Sequence, residues 1–99
     1  MMFEQFENFG IRVRKAAEKI LDKPPTSIFF DNKTRTAYFI YEGTDTYSII
    51  LSEDAVSCTC PSFGMNGRCK HILYAFYWLE QSRFPKEALK KIEEVIKKL

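Results

Sequence analysis

TAYFIYEGTDTYSIILS, residues 36–52, contains two segments rich in β-branched and aromatic residues, separated by the turn-forming sequence EGTD. In the second segment, the apolar residues Tyr47, Ile49 and Leu51 occupy alternate positions, which is typical of a strand with one buried face. A connection this short joins antiparallel strands. The stretch therefore predicts a β-hairpin formed by residues 36–42 and 46–52.

Two more strands are predicted on either side of this hairpin. SIFF, residues 27–30, precedes the hairpin and is separated from it by the turn signal DNKT. A short strand at about residues 55–59 follows the turn sequence SED. Spacing this tight predicts a three- to four-stranded antiparallel meander.

Helices are predicted at both ends of the chain. Residues 3–22 carry apolar side chains at three- and four-residue spacing and are followed by Pro24 and Pro25, which predicts an N-terminal amphipathic helix. The helical pattern returns over residues 70–83, and Pro85 then opens a last helix at a favoured first-turn position. We therefore expect one α+β domain over residues 1–99, with two C-terminal helices.

Composition narrows the cellular setting and the function classes. The net charge is only +2, so nucleic-acid binding would need a local basic patch. Three cysteines cannot all pair with one another, which favours a reducing intracellular location, cytoplasmic or nuclear. The N-terminus does not resemble a signal peptide, and the longest apolar run, residues 72–79, is too short to span a bilayer. We expect a soluble protein with no membrane partner.

All three cysteines and the only histidine lie within CTCPSFGMNGRCKH, residues 58–71. Cys58 and Cys60 lie two apart at a predicted strand end, which places both side chains on one face. Cys69 and His71 stand where the next helix is predicted to begin, across a glycine-containing loop. Four such ligands suit a closed, tetrahedral, structural zinc site. The alternatives are buried cysteines beside a hydrogen-bonded histidine, or a Cys–His nucleophile pair.

The C-x-C-x8-C-x-H spacing resembles the SWIM zinc finger, found in Swi/Snf-type ATPases, Mu-like transposases and a kinase-kinase family. A proline after C-x-C, the aromatic Phe63 and the C-K-H triplet extend this resemblance, which covers about residues 47–79. It implies that Cys58, Cys60, Cys69 and His71 bind one Zn²⁺. Four protein ligands and the absence of a second cluster of titratable residues favour a small stand-alone module that binds and does not catalyse. SWIM proteins are linked to DNA handling and to protein contacts, including recombinase-associated complexes. The resemblance thus implies DNA or a protein as partner and no small-molecule substrate.

Basic side chains are candidates for contacting a nucleic acid. They are Arg12, Lys15 and Lys19, which form a stripe on the N-terminal helix, and Arg68 and Lys70, which flank Cys69. Such a set suits phosphates. The alternatives are that the stripe is a solvated helix face and that the pair offsets the charge of the thiolates.

Three aromatic residues on the helix after the zinc motif are candidates for partner binding. Together with Leu73, they lie opposite the helix face formed by Ile72, Ala75, Phe76 and Leu79; they are Tyr74, Tyr77 and Trp78. They could stack on bases or anchor a protein. The alternative is that they pack beneath the first or last helix.

Overall fold

The computed structural model describes residues 2–99 and confirms the α+β fold. Its strands are β1 (Ser27–Asp31), β2 (Thr36–Glu42), β3 (Thr46–Ser52) and β4 (Val56–Cys58), which form one antiparallel sheet in the order β1-β2-β3-β4. Its helices are α1 (Ile11–Lys19), α2 (Pro61–Asn66), α3 (Lys70–Glu80) and α4 (Lys86–Lys97). No helix within residues 2–99 is long and apolar enough to cross a membrane.

The predicted hairpin is the middle of the sheet. β2 and β3 have the bounds expected from the sequence and pair with Phe39 opposite Ile49 and Ala37 opposite Leu51. These four side chains are buried, so one face of the sheet packs on the core, as the alternation predicts.

Helix α3 occupies the centre of the core. It packs against α1, α4 and the strands β3 and β4. Its buried residues are His71, Ile72, Leu73, Tyr74, Ala75, Phe76 and Leu79. A helix surrounded on several sides can be apolar all round, which explains its sequence.

The predicted helix over residues 3–22 is wrong at both ends. Residues 2–9 form turns, with hydrogen bonds from Phe6 N–H to the Phe3 carbonyl and from Phe9 N–H to the Phe6 carbonyl. The three rings are nevertheless buried, and Phe6 meets Phe76 of α3 edge-on with ring centroids 5.5 Å apart. Successive turns at three-residue spacing place these rings in the core as well as a helix would, so the apolar spacing alone did not distinguish the two.

The second correction lies in the zinc motif. The sequence predicts a loop between the two ligand pairs, but residues 61–66 form α2, a third helix after the sheet. Pro61 occupies its first turn, and Gly67 ends it in the left-handed conformation at φ +69° while donating its N–H to the Phe63 carbonyl. This short helix reverses the chain between the two ligand pairs.

Candidate metal centre

The first two ligand candidates leave the sheet together. Cys58 ends β4 opposite Ile49, and the next residue continues the pairing because Thr59 N–H donates to the Ser48 carbonyl. Cys60 then stands at the N-cap of α2, where its carbonyl accepts the N–H of Gly64. The end of a paired strand and the start of a helix therefore position both sulfurs.

The second pair is positioned by α3. Cys69 is the N-cap residue of this helix and accepts the N–H of Ile72 on its carbonyl, while His71 lies in the first turn. Because α3 is packed into the core from its first turn onward, it places both ligands beside the end of β4.

The four side chains converge to the dimensions of a zinc site. Cys58, Cys60, Cys69 and His71 are all buried, and their ligand atoms lie within 4.8 Å of one another. His71 Nδ1 is 3.7 Å from Cys58 Sγ. Tetrahedral zinc with Zn–S bonds of about 2.3 Å and Zn–N bonds of about 2.0–2.1 Å places neighbouring ligand atoms roughly 3.5–3.8 Å apart. A small contraction of the cluster thus brings four ligands around one ion.

The pKa values of Cys58 and Cys69 are shifted in opposite directions. A hydrogen bond from Cys69 lowers the pKa of Cys58 to about 4, and burial opposes this shift only in part. The same bond, together with burial, raises the pKa of Cys69. This hydrogen bond favours the thiolate form of Cys58, which is the form that binds a cation, and a bound Zn²⁺ would supply the positive charge that stabilises further thiolates.

Two tyrosines hold the imidazole of His71. The Tyr47 ring stacks on it with centroids 4.5 Å apart and planes inclined by 30°, and Tyr41 lies on it with centroids 5.5 Å apart. Both tyrosines come from the hairpin, where they are direct cross-strand partners. The sequence alternation marks Tyr47 as facing inward, but its contact with His71 depends on how α3 crosses the sheet.

The sequence model of the SWIM zinc finger family matches residues 42–77. This segment is similar to a SWIM zinc finger, and we refer to it as the SWIM finger. The match begins at the end of β2, includes all four ligand residues, and ends within α3. No curated protein and no solved structure gives a significant match to this chain.

Beside the SWIM finger, a cavity of about 380 Å³ opens between α1 and the ligand residues. Arg12 of α1 lines it, together with Arg68 and Lys70 of the finger, and we call this site the basic cleft. Ser62 and Asn66 of α2 add polar groups. Among the described residues that line the cleft, none is acidic. The fold thus joins basic residues that are more than fifty positions apart in sequence.

The other two residues of the predicted basic stripe lie farther along α1. Lys15 and Lys19 are exposed, and neither is among the described residues that line the basic cleft. Arg68 has a second role, because its Nη1 donates a 2.9 Å hydrogen bond to the Asn8 carbonyl and so attaches the N-terminal turns to the finger. The sequence does not predict this contact, because Asn8 and Arg68 are 60 positions apart and belong to no common motif.

The aromatic candidates are mostly packed inside. Tyr74 is fully buried and meets the ring of Tyr41 edge-on, with ring centroids 4.8 Å apart. Its hydroxyl donates a hydrogen bond to the Lys23 carbonyl. Its side chain leaves no surface for a partner to contact. Tyr77 and Trp78 are partly buried against the core and contact each other edge-on at 5.8 Å.

Proposed function

We propose that the SWIM finger is a non-catalytic module that binds the phosphate backbone of DNA at the basic cleft. The observation that supports this proposal is the convergence of Arg12, Arg68 and Lys70 on one open cavity. Four protein ligands also fill a tetrahedral zinc shell, which leaves no open position for a water or a substrate.

The three cations of the cleft outweigh the negative charge of the metal centre and so favour an anion. Three thiolates and one Zn²⁺ leave one net negative charge, and the three cations around them leave the cleft with an excess of positive charge. Arginine and lysine are the usual phosphate contacts of DNA-binding proteins. The low net charge of the whole chain limits the contact to this local patch.

The size of the patch sets the expected strength and its dependence on salt. If all three cations contact phosphates, log K falls against log salt with a slope of about −2.7, at about −0.9 per contact. A rise from 50 to 200 mM salt would then weaken binding roughly 40-fold. Backbone contacts carry no direct base readout, so we expect little dependence on DNA sequence.

The test is a fluorescence titration of short single- and double-stranded DNA with the zinc-loaded chain at two salt concentrations. The variant is Arg12→Glu with Lys70→Glu, because reversing Arg68 would also break its hydrogen bond to Asn8. The matched control is Lys90→Glu with Lys98→Glu, which changes the net charge equally at exposed positions on and just after α4.

We expect the variant with Arg12→Glu and Lys70→Glu to lose DNA binding and to show a weaker dependence of affinity on salt. The control variant should keep most of its DNA affinity and most of its salt dependence. Equal losses in the two variants would mean that total charge, and not the cleft, drives binding. If the unmodified protein binds no DNA at low salt, where electrostatic attraction is strongest, the DNA proposal fails and a protein-interaction adaptor takes its place.

A further inference from the structure

Strand β1 lies at one edge of the sheet and pairs on one side only, with β2. Within residues 2–99, no other helix or strand packs extensively along it. The unpaired N–H and C=O groups of an edge strand are a template for another strand.

The two edges of this sheet differ in how they are protected. β4, at the opposite edge, is only three residues long, and shortness is one of the ways in which proteins prevent edge pairing. β1 has five residues, SIFFD, which pair with β2 without a bulge and include neither lysine nor proline. The edge of β1 therefore carries one charged residue, Asp31 at its end, and lacks the other features that usually block strand addition.

Apolar side chains are exposed on both faces of β1. Phe29 is 61% exposed on the face of the sheet away from the helices, and Ile28 is 40% exposed on the other face. Phe29 also begins a cross-strand row with its partner Tyr38 and with Ile50 opposite Tyr38, all three exposed. One exposed apolar residue is ordinary, but exposure on both faces of an unprotected edge is what an added strand would cover.

We propose that two copies of this chain associate through antiparallel pairing of their β1 strands, which joins the sheets into one of eight strands. A two-fold axis at Phe29 places this residue opposite Phe29 of the second copy, and Ile28 opposite Phe30 of the second copy. Residues of the same parity then share a face, so the exposed row continues from one sheet into the other.

The sequence of β1 favours a second copy as the occupant because the strand complements itself in this register. Its only charged residue, Asp31, falls opposite Ser27 of the second copy, whereas pairing centred on Asp31 would oppose two like charges. Each copy supplies the same surface, as an isologous dimer requires. An edge of five residues buries less than the roughly 1,200 Å² of smaller stable interfaces, so we expect a weak dimer that forms with rising concentration.

Sedimentation equilibrium of the zinc-loaded chain, from micromolar to millimolar concentration, tests this proposal. Phe29→Lys places a charge on the edge and should weaken dimerisation about tenfold or more. The matched control is Ile50→Lys, which places the same charge on the same face but on the inner strand β3, and should leave the dimer nearly unchanged.

Amide hydrogen exchange of the unmodified protein gives an independent readout that needs no variant. Exchange in residues 27–31 should slow as concentration rises, because dimerisation pairs their free N–H groups. A protein that stays monomeric throughout overturns the proposal. An equal effect of Phe29→Lys and Ile50→Lys also overturns it, because that result would indicate dimerisation through the faces of the sheets. A dimer in which amide exchange of β1 does not depend on concentration overturns it as well.

Discussion

Removing zinc should disorder the segment between the two ligand pairs and leave most of α3 folded. In residues 59–68, Cys60 is the only buried residue, and Phe63 is only partly buried. Apart from the pairing of Thr59 with Ser48 and the hydrogen bond of Arg68 to Asn8 at its two ends, little besides the metal holds this segment against the roughly 1–2 kcal/mol of backbone entropy that each ordered residue costs.

Beyond the ligand residues, α3 is held in place by the apolar core. Its five large buried side chains are Ile72, Leu73, Tyr74, Phe76 and Leu79. Burial of each contributes about 1.5–3 kcal/mol, so together they contribute roughly 8–15 kcal/mol as an upper estimate. This contribution does not depend on zinc, so the helix should fray at its first turn and stay packed from about Ile72 onward.

The global cost follows from binding linkage. Zinc present at a thousand times its dissociation constant stabilises the folded state by about 4 kcal/mol. At about 4–8 °C per kcal/mol for a domain of this size, chelation should lower Tm by roughly 15–30 °C. Cys69→Ser should act in the same direction. The control is Met65→Ser, which changes an 83% exposed residue in the same segment and should keep both zinc and Tm.

Amide exchange with and without a chelator, together with a thermal scan, measures both parts of this prediction. We expect protection to be lost in residues 59–68 and kept in residues 72–79. Loss of protection in both segments together would refute the argument that the core holds α3. Unchanged exchange and an unchanged Tm would show that zinc has no structural role.

Two further predictions concern tyrosines. Tyr47→Ala removes the ring stacked on His71 and should weaken zinc binding by about 0.5–1.5 kcal/mol, roughly two- to twelvefold, in a competition titration with a chelator. The control Tyr47→Phe keeps the ring and should bind zinc almost normally. Equal losses of zinc affinity in both variants would contradict the stacking role. Burial raises the pKa of Tyr74 above its ordinary 10.0, so its contribution to stability is complete below pH 10 and is lost as pH rises through the higher folded-state pKa. Tyr74→Phe should therefore be about 1 kcal/mol less stable than the unmodified protein at pH 8, because it loses the hydrogen bond to the Lys23 carbonyl, and this deficit should shrink in urea titrations above pH 10. If the loss of stability in Tyr74→Phe did not depend on pH, the argument that burial raises the pKa of the Tyr74 phenol would be wrong.

Local patterns in the sequence determine the sheet and the metal ligands. β2 and β3 have the predicted bounds because alternation and a four-residue turn signal are both read from neighbours along the chain. The four ligands of the SWIM finger follow equally from spacing, since they lie within fourteen positions, and the short helix α2 reverses the chain between the two pairs.

Long-range packing determines the rest. The apolar spacing of residues 3–9 fits turns as well as a helix, and the ring that Phe6 contacts, Phe76 of α3, lies seventy positions away in the sequence. The burial of Tyr74, its bond to Lys23, and the stack of Tyr47 on His71 depend in the same way on how α3 crosses the sheet. The basic cleft exists only because α1 packs beside the finger, which brings Arg12 to Arg68 and Lys70. A periodic sequence specifies which face of an element is apolar, but the partner of that face is selected by close packing among elements distant along the chain.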